Sequence, residues 1–105
     1  MFNGSIYEGD MQIDYIVCPK NIEDKIESEH HVKIKEVRQI LLSKPRIRFS
    51  EKGYTPGEDV YGAFGRTYGG RYLSVFFVYK PTAKIAIIIS ARDMSDKERK
   101  AYGRK

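Results

Sequence analysis

The stretch RYLSVFFVYKPTAKIAIIISARDMSDKERKAY, residues 71–102, decides how the chain folds. In its first third, Leu73, Val75 and Phe77 fall on one face of an extended chain and Tyr72, Phe76 and Val78 on the other. A strand apolar on both faces belongs inside a sheet, covered from two sides. KPTA, residues 80–83, breaks the run, and KIAIIISA resumes it as a second strand. Ser95 followed three residues later by Glu98 is a capping-box pattern. It predicts a helix beginning near Asp96 and carrying Lys97, Arg99, Lys100, Tyr102 and Arg104. Asp93 and Asp96 complement the positive end of that helix. Arg92 stands where the strand leaves the core, at the place where sites are grafted onto sheets.

Working backwards, VYGAFGRT (residues 60–67) is a strand joined to RYLSVFFVY by the tight YGG, and the three strands make an antiparallel meander. RIRFSEK (46–52) alternates Ile47 and Phe49 against Arg46, Arg48 and Ser50, with GYTPGED as the following loop. VKIKEVRQILLSK (32–44) carries Ile34, Val37, Ile40 and Leu41 on one helical stripe, and Pro45 forbids continuation beyond Lys44. PKNIEDKIESEHH (19–31) is a shorter helix started by Pro19, with Ile22 and Ile26 one turn apart. MQIDYIV (11–17) alternates weakly, as a short strand or extended arm. The expected fold is α+β: an antiparallel sheet of about four strands with two N-terminal helices and one C-terminal helix packed on it. At 105 residues a single domain over 1–105 is expected, with residues 1–10 as a disordered or extended N-terminal arm.

Charge is distributed unevenly. Met1 to His31 holds seven acidic and two basic residues, a net of −5, whereas Val32 to Lys105 holds seventeen basic and seven acidic, a net of +10. The basic portion suits a polyanion. Cys18 is the only cysteine, which excludes an internal disulfide and leaves a soluble cytoplasmic protein as the expectation. No apolar run approaches the roughly 20 residues that cross a bilayer. There is no Walker loop, no strand-GxGxxG-helix unit and no HExxH, and the glycines of GAFGRTYGG belong to a hairpin. One cysteine and the adjacent His30 and His31 do not make a tetrahedral zinc site, and no motif supports a nucleophilic triad. No metal or other cofactor is therefore expected. A metabolic enzyme with a deep small-molecule pocket is disfavoured in so short a chain.

Arginines at defined places remain. Arg66 ends one strand, Arg71 starts its hairpin partner, Arg92 ends the last strand and Arg99 follows on the helix. A guanidinium group offers planar paired donors matched to phosphate, and a cluster stabilises extra charge in a phosphoryl transition state. The structural alternative pairs Arg71 and Arg99 with Asp59, Asp93 or Glu98, or leaves them solvated. His31 serves equally well as a cap or as an acid–base group. Tyr61, Tyr68, Tyr72 and Tyr79 either stack on bases or pack half-buried in the sheet.

GRTYGGRYLSVFFVY followed by AIIISARDMSDKERKAY resembles the C-terminal half of BrnT-type toxins, which show a Gly-Arg hairpin, an apolar strand, Ile-Ser-Ala-Arg and a Lys-Glu-Arg-x-x-Tyr helix. KIESEHHVKIKEV resembles the Lys-His-Gly-Val segment that leads into an amphipathic helix in that family. The resemblance spans Lys20 to Tyr102. Matching positions are His31, Glu36, Glu58, Gly65, Arg66, Arg71, Ser90, Ala91, Arg92, Glu98, Arg99 and Tyr102. Departures are the missing glycine after His31, Lys33 where a Ser or Thr cap is usual, and the absent early tryptophan.

The resemblance implies a RelE-like fold and a ribonuclease that halts translation. It also implies a cognate ribbon-helix-helix antitoxin, with DNA contacted only through that partner as the complex represses its operon. No membrane role follows. On this basis Arg66 and Arg92 hold the scissile phosphate and its developing charge, His31 or Glu58 takes the proton of the attacking 2′-hydroxyl, and Arg71, Arg99 and Tyr102 position the RNA. The competing class is a non-catalytic basic domain that binds only RNA or its antitoxin.

Overall fold

A computed structural model describes residues 11–103. The expected N-terminal arm, residues 1–10, and Arg104 lie outside the described residues. The elements run β1 (Tyr15–Val17), α1 (Lys20–His30), α2 (Ile34–Leu42), β2 (Arg46–Glu51), β3 (Val60–Arg66), β4 (Tyr72–Lys80), β5 (Ile85–Asp93) and α3 (Asp96–Gly103).

The strands form one sheet in the order β1-β5-β4-β3-β2, with β4 at its centre as its two-faced apolar pattern requires. This corrects the expected count and pairing. The sheet has five strands and is mixed, because Tyr15, Ile16 and Val17 pair in parallel with Ile85, Ala86 and Ile87. Parallel partners lie far apart in sequence and share no turn, so a three-residue strand leaves no local signal of its partner.

Helices α1 and α2 cover one face, α1 against β5 and α2 against β3. Ile26, Val37, Ile40 and Leu41 meet Ala63, Leu73, Val75, Phe77, Ala86 and Ile88 in the core. The stripe read from Ile34, Val37, Ile40 and Leu41 is the buried one, with Ile34 at its margin. Helix α2 ends at Leu42, short of the limit set by Pro45, where Ser43 donates its hydroxyl to the Gln39 carbonyl at 2.5 Å. That side-chain bond competes for a carbonyl of the last turn.

Between β3 and β4 the chain reverses through a turn closed by backbone bonds from Gly70 N–H to Thr67 O and from Thr67 N–H to Arg71 O. Gly70 adopts φ +90°, a region open to glycine at little steric cost.

One irregularity decides which side chains reach which face. Phe76 pairs with Ser90 and Phe77 with Ile88, so Ile89 is an extra residue on β5. Before the bulge Ala86 and Ile88 point into the core; after it Ala91 does. The shift of phase sends Ser90 and Arg92 to the face away from α1 and α2, and Asp93 toward the helices.

Candidate functional site

The face carrying Arg92 is partly covered by α3. Across it runs one row of paired residues, Arg46, Phe64, Ser74 and Arg92, one from each of four adjacent strands. Glu98 sits over the end of this row. The capping box read from Ser95 and Glu98 is present: Glu98 N–H donates to Ser95 Oγ at 3.1 Å, and Ser95 N–H donates to Glu98 Oε1 at 2.9 Å. The same carboxylate accepts from the buried Ser74 hydroxyl at 2.8 Å and from both terminal nitrogens of Arg92 at 2.7 and 2.9 Å. Arg92, and then Ser95 and Ser74, hold the Glu98 carboxyl down to about 2 against the opposing effect of its partial burial. At neutral pH it is an anion without a proton to give. Arg92 also donates to the Asp93 carbonyl at 3.1 Å, and its ring neighbour is Phe76 at 5.1 Å.

Arg92 therefore has a structural partner that its position in sequence does not reveal. With Glu98 it fastens α3 to the sheet. Ser74 is the polar residue in an otherwise apolar strand that completes the clasp, one pairing step from Arg92.

Helix α3, so anchored, lays Arg99 over the Tyr72 ring at 3.7 Å from its centroid. Arg66 approaches the same ring at 5.3 Å. Both guanidinium groups are exposed and, among the described residues, neither has a carboxylate partner. Tyr102 meets the edge of Tyr72 at 5.9 Å. Beyond Tyr102, Arg46 lies 5.6 Å from its ring and donates to the Ala101 carbonyl at 3.3 Å. The arrangement presents an exposed, cationic and aromatic surface able to receive a phosphodiester and its neighbouring bases.

The other expected site residues lie elsewhere. Arg71 points to the helix side, where it donates to Asp93 at 2.7 Å, to the His31 carbonyl at 2.6 Å, to the His30 carbonyl at 2.7 Å and to Glu36 at 3.3 Å. Asp93 is held below the ordinary carboxylate range chiefly by this bond. Arg71 thus joins the turn between α1 and α2 to the ends of two strands, and its donors are occupied.

His31 is the left-handed C-cap of α1, with φ 55° and ψ 35°, and its N–H donates to the Glu27 carbonyl at 3.0 Å. Helices commonly place glycine there. His31 thus holds a left-handed backbone position of the kind that glycine takes most readily. Lys33 begins α2 without a side-chain acceptor, but Glu36 Oε1 accepts the Lys33 N–H at 3.0 Å and supplies half of a capping box. Glu58 lies before β3 and pairs with Lys80, whereas Arg66 ends β3. Six residue steps along the strand separate those ends by roughly 20 Å. Glu58 and Arg66 do not converge. Neither His31 nor Glu58 joins the Arg66–Tyr72–Arg99 group.

Among the described residues no three His, Cys, Asp or Glu side chains stand close enough to hold a metal ion, and no helix is long and apolar enough to cross a membrane.

The chain is an α+β domain that clasps its C-terminal helix over a cationic, aromatic sheet face. The family model described as ribonuclease toxin, BrnT, of type II toxin-antitoxin system matches residues 20–98, and the chain belongs to that family. No curated protein matches it.

Proposed function

We propose that this protein is an endoribonuclease toxin that cleaves RNA without a metal and so stops translation in the cytoplasm. A ribbon-helix-helix antitoxin neutralises it by covering the basic face with acidic side chains. The observation that carries this reading is the pair of exposed guanidinium groups, Arg66 and Arg99, over Tyr72 with no carboxylate partner among the described residues.

In the reaction, the 2′-oxygen bonds to the adjacent phosphorus and the bond from phosphorus to the 5′-oxygen breaks. The 2′-proton leaves to solvent and the 5′-oxygen takes one up, giving a 2′,3′-cyclic phosphate and a 5′-hydroxyl. Arg66 and Arg99 hold the phosphate and the charge that grows on its free oxygens. Tyr72 and Tyr102 support the flanking nucleotides. Arg92 is a positioning residue, because its bond to Glu98 sets where α3 carries Arg99. Arg71, His31 and Glu58 take no part in this assignment.

Purified protein incubated with RNA in EDTA tests it. Wild-type protein releases fragments with 2′,3′-cyclic phosphate ends, and loss of all cleavage under EDTA with recovery in magnesium overturns the metal-free mechanism. One observation favours a binding-only protein instead: both residues expected to move the proton lie away from the arginine face. Protein that retains RNA through the EDTA incubation and never cleaves it decides for that reading.

A further inference from the structure

Between α3 and the β2–β3 end of the sheet is a recess of about 200 Å³. That is smaller than the 300–1,000 Å³ typical of sites for drug-sized ligands and suits a single ring system. Phe64 and Tyr102 supply aromatic walls and Ala101 leaves the space open. Its lining is predominantly apolar, while Arg48 and Lys97, both exposed, add positive charge at its margin. Among the described residues Glu98 contributes the one carboxylate, and that group is already neutralised by Arg92.

We infer that this recess is a nucleobase subsite: it receives one unpaired base beside the phosphate bound at Arg66 and Arg99, with Arg48 and Lys97 on the next phosphate of a single strand. The inference rests on reading the face as an RNA-binding surface. Phe64 and Arg66 lie two residues apart on the same face of β3, about 7 Å along the strand. Tyr102, which touches Tyr72 under the two arginines, also lines the recess. The phosphate site and the apolar recess are thus contiguous, with aromatic rings spanning from one to the other. A base has two apolar faces that stack on such rings whatever its identity, and phosphates on either side meet cations. An acidic protein segment would use the cations but would fill the slot only where it carried an aromatic side chain, whereas every nucleotide brings a planar ring beside its phosphate.

The probe is a labelled single-stranded 2′-O-methyl oligoribonucleotide, which lacks the attacking hydroxyl and cannot be cleaved by this route. Inorganic polyphosphate serves as a polyanion without bases. Ala101→Leu fills the recess and Phe64→Leu removes one ring; neither changes a charge. Each variant that keeps the wild-type circular dichroism spectrum is expected to bind the oligonucleotide about fivefold to a hundredfold more weakly and polyphosphate within twofold of wild type. In the unaltered protein, ring-proton resonances of Phe64 and Tyr102 shift with oligonucleotide and stay in place with polyphosphate. Equal losses for both probes, unchanged affinity for both, or ring resonances indifferent to the oligonucleotide overturn the subsite. A protein that shows base-dependent binding but never cleaves RNA refutes the catalytic reading and leaves the subsite standing.

Discussion

Replacing Glu98 by glutamine removes one charge and keeps the shape and one acceptor oxygen of the side chain, so the Ser95 and Ser74 bonds survive while Arg92 keeps a single neutral acceptor in place of a bidentate carboxylate. The descent of the Glu98 carboxyl from 4.5 to about 2 sets an upper limit of about 3 kcal/mol on what ionisation contributes to stability. Side-chain exposures of 35% for Arg92 and 23% for Glu98 let solvent screen the pair, which reduces the figure to about 1–2 kcal/mol. For a domain of this size that is a fall of roughly 5–10 °C in Tm at pH 7. The folded carboxyl is more acidic than the unfolded one. Its contribution is therefore complete above about pH 4.5 and disappears as pH falls toward 2. Thermal melts of wild type and Glu98→Gln followed by circular dichroism from pH 7 to pH 2 are expected to converge as the pH drops. A gap of unchanged size at pH 2, or no gap at pH 7, refutes the account of Glu98 as an ionised anchor for α3.

The remaining expectations concern the arginines and the α1 cap. Arg66→Ala and Arg99→Ala each slow RNA cleavage on the order of a hundredfold, and urea unfolding shifts by less than about 0.5 kcal/mol because neither has a carboxylate partner among the described residues to lose. Wild-type cleavage rates in both folded variants sink the phosphate assignment. Arg71→Ala unfolds in less urea, by about 2 kcal/mol, since the carbonyls of His30 and His31 lose a charged donor, and the affinity of the folded protein for RNA stays as it was. His31→Gly relieves a left-handed backbone and raises stability by about 1 kcal/mol with cleavage unchanged; a drop in rate restores His31 to the chemistry.

Residues whose placement depends on local pattern were readable in the sequence. The stripe of α2, the two-faced run of β4 and the start of α3 at Asp96 each rest on periodicity or on a cap within a few residues, and the structure has them there. What depends on distant partners was not readable. The parallel pairing of β1 lies across about 70 residues of chain, and Arg92 meets Glu98 only because β5 bulges and α3 folds back over the sheet. Arg71 and Arg66 flank the same turn, yet one is consumed by the helix junction and the other stays exposed. Their identity as arginines cannot distinguish them; the face of the strand does. The place of His31 as the cap of α1 was hidden for a backbone reason, since an αL residue is recognisable from sequence when it is glycine and not when it is histidine.

The extra residue in β5 stands outside the ladder, so the strand beyond it keeps its faces whether or not that residue is there. Ile89 is exposed, so its side chain is free to change. Its removal changes little more: without Ile89 the ladder runs unbroken from Phe77–Ile88 to Phe76–Ser90, so Arg92 stays opposite Ser74 and Asp93 opposite Leu73. The inside and outside of everything that follows would exchange only if Ile89 took a place in the ladder, which would set Arg92 opposite Leu73 in the apolar layer.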